Sequence, residues 1–227
     1  MNYPATFELR TTDELTGITT SDYFRHLLRE EMLPQAEASG EPLSVCLLDV
    51  DRFLGLNERY GHAAGNAILQ SVVQTLQEVV PETAVLSRYG GDEIAGALWE
   101  RLDDAFTMLE EFRRRIEALR FEQWSEIRLT CSIGLAAYPA HARSEAELMR
   151  AVDEALYLAK ATGRNKVSMP LADARMITKT SHYTGTQLER LARLSKTVKR
   201  NEATLLREAL DDLLKKYNDR LGAPIRE

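Results

Sequence analysis

Apolar residues in the first 170 positions of the chain follow two alternating patterns. Spacing by three and four residues predicts helices, because residues three or four apart share one helix face. The segments with this spacing are residues 21–38, 62–80, 101–121 and 144–161. Short apolar runs predict strands, and these runs cover residues 42–50, 83–87, 94–99, 127–137 and 165–169. The order β-α-β-β-α-β, with an extra helix before it and a last helix and short strand after it, predicts an α+β fold, in which helices pack on a largely antiparallel sheet.

Residues 171–227 differ from the rest of the chain in charge. They contain 12 Lys and Arg against 8 Asp and Glu, whereas residues 1–170 contain 17 against 27, and the net charge of the whole chain is −6. Helical spacing recurs over residues 187–198 and 203–217, after a linker at 170–175 and a stretch at 176–184 that suits an extended chain. We therefore expect two domains, residues 1–170 and 171–227, with different partners.

The composition narrows the class of protein. With 44% hydrophobic and 28% charged residues, the chain resembles an ordinary globular protein. No apolar run approaches the length of a membrane span, and the first ten residues lack the pattern of a signal peptide. Cys46 and Cys131 lie in separate apolar runs without metal-binding spacing, so we expect buried thiols. The expected location is the cytoplasm, with no membrane partner.

Two carboxylates follow a Gly-Gly pair between the strands predicted at 83–87 and 94–99. Residues 88–93, which we call the acidic turn, read Arg-Tyr-Gly-Gly-Asp-Glu. The glycines favour a tight hairpin turn and let a ligand approach the backbone closely. Asp92 and Glu93 suit a divalent cation that carries a nucleotide phosphate. Taken alone, these residues are equally well explained as an ordinary acidic hairpin.

Further charged residues stand where predicted elements end. Asp49 and Asp51 fall on one side of the strand end, and such a pair is costly there unless it is solvated, paired or metal-bound. Lys160 and Arg164 flank the end of the helix at 144–161. A helix cap at Gly163 with compensating bases explains that glycine but not the Arg164-Asn165 pair.

Together these segments resemble the GGDEF family of diguanylate cyclases. The resemblance runs in order through residues 13–17 (Asp-Glu-Leu-Thr-Gly), 48–53, 57–65, 88–94, 132–134, 153–157 and 160–165. It covers about residues 10–170, in the family's order and at its spacing. It implies that family's sheet flanked by helices, and the condensation of two GTP into cyclic di-GMP with release of pyrophosphate. It also implies that two protomers face each other, each presenting one nucleotide.

The resemblance further implies roles for individual residues. Asp49, the backbone carbonyl of Val50 and Asp92 would bind Mg²⁺ or Mn²⁺. Asp92 and Glu93 are the catalytic candidates, with Glu93 implied either in metal binding or in activating the 3′-hydroxyl. The nucleotide-binding candidates are Asn57, His62, Asn66, Lys160 and Arg164. Among them, Asn57 would contact guanine, and the two cations would contact the phosphates. Metal and cationic clamps are what attack on an α-phosphate requires.

Three positions depart from the family's pattern. Leu54 stands where many members have a phosphate-contacting lysine. Asn66 stands where the family usually has an aspartate that accepts from guanine, and an amide fits the donor and acceptor edge of adenine at least as well. The resemblance implies GTP as the substrate, whereas Asn66 leaves ATP and an adenine-containing product open. Residues 81–84, Pro-Glu-Thr-Ala, lack the product-inhibition motif, so no inhibitory site is expected.

Residues 176–218 resemble a ribbon-helix-helix DNA-binding domain. The resemblance rests on a ribbon at 179–184, a first helix at 188–197 and the sequence Leu-Leu-Arg-Glu-Ala-Leu at 205–210. It implies a homodimer whose paired ribbons enter the major groove while the second helix, capped at its start, holds a phosphate. The candidates for DNA contact are Lys179, Thr180, Ser181, His182, Tyr183 and Asn201. Which alternate side of the ribbon faces the bases stays open, and a dimerising helical hairpin without DNA is the alternative.

Two functions remain open from the sequence. The first is a diguanylate cyclase that its C-terminal module dimerises and ties to DNA. The second is a DNA-binding transcriptional regulator whose GGDEF domain is catalytically degenerate and senses a nucleotide. Leu54 and Asn66 favour the second function. The first is favoured by the intact residues Asp49, Asp92, Glu93, Lys160 and Arg164.

Overall fold

The computed structural model describes residues 10–170 and 183–198, together with Glu202, Leu205, Leu206, Ala209, Leu213 and Lys216. The chain divides into two compact units, residues 1–174 and 175–227. Within the described residues, no helix has both the length and the apolar character needed to cross a membrane.

The apolar runs of the first unit form one mixed sheet. Its strands are β1 (Thr19–Thr20), β2 (Leu43–Val50), β3 (Val85–Arg88), β4 (Glu93–Leu98), β5 (Cys131–Tyr138) and β6 (Lys166–Ser168). They lie in the order β1-β3-β4-β2-β5-β6. The four middle strands are antiparallel, and the two edge strands pair parallel to their neighbours. The largely antiparallel sheet is thus confirmed, and the two-residue β1 is an addition that is too short to leave a sequence pattern.

Six α-helices accompany the sheet within residues 10–170. They are α1 (Ser21–Leu27), α2 (Leu33–Ser39), α3 (Phe53–Tyr60), α4 (His62–Gln77), α5 (Leu102–Ala118) and α6 (Glu145–Ala161). The helix predicted at 21–38 is interrupted by a π-helical segment, Leu28–Met32, directly before Pro34. Because proline lacks an N–H, a helix containing it has to break or widen its hydrogen-bond ladder there. Helix α3 was not predicted, since only Phe53 among its residues is buried.

The two faces of the sheet bury separate apolar clusters, as strand alternation requires. Leu48 of β2 faces a cluster that includes Ile68 of α4 and Phe112 of α5. Its neighbour Leu47 faces the other cluster, which includes Phe24 of α1 and Val152 of α6. The sheet therefore lies between α4 and α5 on one face and α1, α2 and α6 on the other, which confirms the predicted α+β class.

One glycine decides how closely α6 approaches the sheet. A Cβ placed on Gly134 of β5 would lie 2.0 Å from the Val152 carbonyl oxygen and 2.5 Å from the Leu156 nitrogen. Only a residue without a side chain allows the helix backbone to lie directly on the strand. This contact fixes the position of α6, whose last turn carries Lys160.

Both cysteines are free and buried, as the sequence predicts. Burial disfavours the charged thiolate, so it raises the pKa of Cys46 to about 12 and also raises the pKa of Cys131. Neither thiol has the character of a nucleophile or metal ligand at neutral pH.

The second unit contains helix α7 (Gly185–Val198), which begins two residues earlier than predicted. The Thr184 hydroxyl accepts from the Gln187 N–H at 3.3 Å, and the Gln187 side-chain oxygen accepts from the Thr184 N–H at 2.9 Å. This reciprocal pair is a capping box. The described residues of the predicted helix at 203–217 are all helical.

Candidate active site

The site forms where β2 ends beside its two neighbours. Asp49 lies opposite Glu93 of β4 and Ser132 of β5 in the strand register. Its side chain points to the face covered by α6, and the Lys160 Nζ lies 2.7 Å from its Oδ2. The Asp49 side chain is only 14% exposed. A carboxylate that is buried to this extent needs a charged or hydrogen-bonded partner, and Lys160 supplies it.

Carboxylates are crowded around this pair. Burial raises the pKa of Asp49, the ammonium group of Lys160 opposes that rise, and the charges of Asp92 and Asp51 add to it. Burial also raises the pKa of Glu93, again against Lys160, while Asp49 and Asp92 raise it further. One lysine thus faces several carboxylates, and the excess negative charge favours an additional cation.

The acidic turn is confirmed as a hairpin, but its glycines act differently from the prediction. The Tyr89 and Gly90 N–H groups both donate to the Glu93 carbonyl oxygen, at 2.8 and 3.2 Å. Neither Gly90 nor Gly91 has a left-handed backbone conformation. A Cβ on Gly90 would instead lie 2.9 Å from the Glu93 Oε2. The glycine therefore makes room for the carboxylate of Glu93 to lie over the turn.

An ion pair ties the acidic turn to the start of the domain. The Arg88 guanidinium donates to the Gly91 carbonyl at 2.9 Å and lies 3.3 Å from the Asp13 carboxylate. Burial alone would raise the pKa of Asp13, but hydrogen bonds from Thr16 and the charge of Arg88 lower it below its usual value. Asp13 was part of the family pattern in the sequence, yet its link to the turn carries no sequence signal of its own.

A second group of predicted residues lies on α3 and α4. The Asn57 side-chain oxygen is buried and has no hydrogen-bond partner among the residues that the structure describes. A Cβ on Gly65 would lie 1.9 Å from that oxygen, so the absence of a side chain at Gly65 gives the Asn57 amide its place. His62 and Asn66 are exposed in the first turns of α4, and Leu54 of α3 is 72% exposed. A buried oxygen without a partner is rare in proteins, and it suits a donor brought by a ligand.

Asp51 does not share the environment of Asp49, although the sequence paired them. The strand β2 ends at Val50, and the Asp51 side chain is only 3% exposed. It accepts from the hydroxyls of Thr130 and Ser132, both at 2.7 Å, and the Arg164 Nε lies 3.9 Å away. A carboxylate with its acceptor sites filled in this way is a poor metal ligand and serves the structure instead.

The structure thus brings some of the predicted residues together. Asp49, Glu93 and Lys160 meet at the end of β2, and Asp92 lies close enough for its charge to act on the first two. No group of three His, Cys, Asp or Glu side chains within the described residues is arranged to hold a metal ion. The predicted metal set uses two carboxylates, Asp49 and Asp92, and the carbonyl of Val50. This set offers only oxygen atoms, as Mg²⁺ and Mn²⁺ prefer.

One of the six predicted DNA-contacting residues, Tyr183, belongs to the part of the chain that the structure describes. Lys179, Thr180, Ser181, His182 and Asn201 lie outside the described residues. Tyr183 is described, directly before the α7 capping box, and its side chain is 47% exposed.

Comparison with known protein families assigns both parts of the chain. The family described as diguanylate cyclase, GGDEF domain, matches residues 10–166. The family described as ribbon-helix-helix domain matches residues 180–218.

Two curated proteins similar to the chain are named diguanylate cyclases. The chain is 35% identical over 160 residues to diguanylate cyclase DosC of Escherichia coli, which is 69% of this chain and 34% of that protein. It is 30% identical over 174 residues to diguanylate cyclase A of Treponema denticola, which is 74% of this chain and 47% of that protein. The chain thus spans between a third and a half of the length of these relatives.

Solved structures agree with the fold. The GGDEF domain of PA1120 from Pseudomonas aeruginosa superposes with a TM-score of 0.67 at 30% identity, covering 71% of this chain and 95% of that one. The coiled coil and GGDEF domain of DgcB from Caulobacter crescentus, solved with c-di-GMP, gives a TM-score of 0.64 at 30% identity, covering 70% of this chain and 84% of that one.

Proposed function

Because the chain belongs to the GGDEF family of diguanylate cyclases, we propose that it condenses two GTP into cyclic di-GMP. In each of the two steps a ribose 3′-oxygen forms a bond to the α-phosphorus of the other nucleotide. The bond from that phosphorus to the bridging oxygen breaks, pyrophosphate leaves, and the hydroxyl loses its proton. The observation that carries the proposal is the buried Asp49–Lys160 pair beside Glu93, at the hairpin that bears Asp92.

A divalent cation, Mg²⁺ or Mn²⁺, fits the oxygen donors and the excess negative charge of this site. We propose that Asp49, the Val50 carbonyl and Asp92 hold it. When bound, it neutralises charge on the triphosphate and on the leaving pyrophosphate.

The remaining side chains position the nucleotide. Lys160 and Arg164 are cations at the end of α6 and in the turn that follows it, and we propose that both bind phosphate oxygens. Glu93, whose pKa is raised by burial, is the candidate to receive the proton of the 3′-hydroxyl. The unpartnered oxygen of Asn57 accepts from the base.

The choice of base depends on Asn66, which is exposed at the start of α4. An amide presents one acceptor and one donor, so it complements the edge of adenine as well as part of the edge of guanine. We propose GTP as the main substrate, with ATP accepted in part.

The second domain, at residues 171–227, is proposed to dimerise the protein and bind DNA. Its match to the ribbon-helix-helix family supports both roles. Leu188 and Leu194 of α7 are each nearly half exposed within the chain, which suits burial against a second copy. A tail dimer raises the effective concentration of the two cyclase domains that have to meet.

The test is an assay for products. The full chain is incubated with Mg²⁺ and GTP, ATP or both, and products are separated by chromatography and identified by mass. We expect cyclic di-GMP from GTP and a smaller amount of mixed dinucleotide from both. If no cyclic dinucleotide forms from any mixture at high protein concentration, the cyclase proposal is wrong.

A nucleotide sensor within a DNA-binding regulator is the second candidate. The exposed Leu54, which offers a phosphate no charge, favours it. GTP binding without product would support this candidate. The DNA role is tested separately by a gel shift at several salt concentrations, and a shift that persists after deletion of residues 171–227 would disprove the assignment.

A further inference from the structure

The turn after α6 has an unusual backbone. Gly163, Arg164 and Asn165 have φ angles of 116°, 63° and 48°, so three consecutive residues lie in the left-handed region. This conformation is unfavourable for a residue with a long side chain such as arginine. It persists only where surrounding contacts hold the chain in place, and such places often serve function.

The first anchor of this turn is Asp51. Its Oδ2 accepts from the Asn165 backbone N–H at 3.1 Å. The Asp51 carboxylate is itself fixed by the hydroxyls of Ser132 in β5 and of Thr130 directly before β5. The backbone N–H of Asp51 donates to the Thr130 carbonyl at 3.0 Å. A nearly buried charge thus holds the backbone directly next to Arg164.

The second anchor comes from α5. The Arg113 guanidinium donates to the Asn165 side-chain oxygen at 3.0 Å, and the Asn165 amide donates to Glu117 at 3.1 Å. Arg113 is only 14% exposed, and ion pairs with Glu110 and Glu117, both at 3.0 Å, fix its orientation. Asn165 is therefore held at its backbone from one side and at its side chain from the other.

We infer that Asp51, Arg113 and Asn165 are positioning residues that hold the Arg164 side chain where it binds nucleotide phosphate. The inference rests on the proposed function, since it takes Arg164 as a phosphate ligand. Arg164 is half exposed, and 3.9 Å separate its Nε from Asp51, so a ligand can reach its guanidinium. Without the two anchors the turn is free to leave the left-handed region, and Arg164 moves with it.

The test measures binding of a GTP analogue with a methylene bridge between the α- and β-phosphates, which cannot release pyrophosphate. Calorimetric titration with Mg²⁺ compares the full chain with Arg113→Met and Asn165→Gly. Glycine adopts the left-handed backbone without cost but lacks the side-chain anchor. We expect both variants to bind the analogue about tenfold to a hundredfold more weakly, with the affinity for guanosine unchanged.

The matched control is Arg115→Met, on the same helix, where the arginine pairs at the surface with Glu78 and Glu111 and with no other described residue. It is expected to bind both ligands as the unaltered chain does. Thermal unfolding of each variant identifies any that fails to fold. If Arg113→Met fails to fold, Asn165→Gly still provides the test.

A double-variant cycle shows whether these residues act through Arg164. The pair Arg113→Met with Arg164→Met should bind the analogue no more weakly than Arg164→Met alone, within about twofold. Additive losses, or an equal loss of guanosine affinity, would overturn the positioning role alone. Analogue binding without dinucleotide synthesis from GTP would overturn the proposed function alone, and a chain that binds no analogue would overturn both.

Discussion

The two ends of the proposed nucleotide site are built in different ways. At the carboxylate end two of the charged groups already have partners within the protein, since Asp49 pairs with Lys160 and Asp51 accepts from two hydroxyls. At the base end the Asn57 oxygen is buried without a partner in the described part of the chain, and Asn66 is exposed. The fold therefore holds part of the proposed carboxylate end in place in advance, whereas the proposed base contacts would be completed only by a ligand. Variants at the two ends should consequently fail in different ways.

The largest effect is expected at the carboxylate end from Glu93→Gln. The amide cannot receive the proton of a 3′-hydroxyl, and general-base assistance contributes about 10²- to 10⁴-fold to a rate. We expect a loss of kcat in this range, with binding of the methylene-bridged GTP analogue retained. Glu82→Gln, an exposed change in the turn before β3, is the control and should keep full activity. A Glu93→Gln protein with normal kcat would show that this carboxylate has no part in the chemistry.

Gly134→Ala should damage the carboxylate end through the fold itself. The added methyl group would meet the backbone of α6 at 2.0 Å, so the helix that carries Lys160 has to move. Overpacking of this kind costs about 3 kcal/mol of unfolding free energy, measurable by urea denaturation. Gly55→Ala in α3, where nothing lies within 4 Å, is the control and should change stability by less than about 1 kcal/mol. Equal stability of the two variants would contradict the close packing of α6 on β5.

Gly65→Ala should damage only the base end. The methyl group would lie 1.9 Å from the Asn57 oxygen and displace that amide. Loss of a hydrogen bond to a base costs about 1–3 kcal/mol, so nucleotide affinity should fall by about 5-fold to 150-fold while the Asp49–Lys160 pair stays intact. In an Asn57→Ala background the same substitution should cost much less, because the oxygen at 1.9 Å is gone and the Phe53 Cζ, at 3.1 Å, needs only a small shift. Additive losses of nucleotide affinity in this cycle would show that Gly65→Ala does not act through the Asn57 amide.

The positions of the acidic residues at the carboxylate end could be predicted from the sequence because these residues belong to short motifs. Asp49, Asp92 and Glu93 stand at strand ends and in a hairpin, which periodicity and glycine punctuation identify. The missing parts depend on tertiary contact. The role of Asp51 as a structural acceptor depends on hydroxyls about eighty residues away in the sequence. Strand alternation alone puts Asp51 on the same side as Asp49 and does not distinguish their roles.

The base end was harder to predict because its elements leave weak patterns. Helix α3 buries only one residue, so the sequence has no apolar stripe that would indicate a helix there. The residue before the helix, Arg52, has a left-handed backbone conformation. The contact between Asn57 and Gly65 joins two helices across the Gly61 turn and has no signature in either helix. Likewise, nothing in α5 distinguishes Arg113, which reaches Asn165, from its two neighbouring arginines.

The smallest and most specific effect is expected from Asn66→Asp. A carboxylate accepts at both of its oxygens and so complements the two donors of guanine, whereas it repels the acceptor of adenine. We expect the ratio of kcat/KM for GTP to that for ATP to rise about tenfold, equivalent to about 1.4 kcal/mol. Because Asn66 is exposed, the change should leave the unfolding free energy unaltered within about 0.5 kcal/mol.

Gln77→Glu, at the exposed end of the same helix, introduces the same change of charge away from the base end and serves as its control. It should leave the GTP to ATP ratio as it is in the unaltered chain. An equal shift in both variants would mean that net charge on α4, not contact with the base, governs the preference. An unchanged ratio in Asn66→Asp would show that Asn66 does not select the base, and it would leave Asn57 as the candidate for that role at the base end.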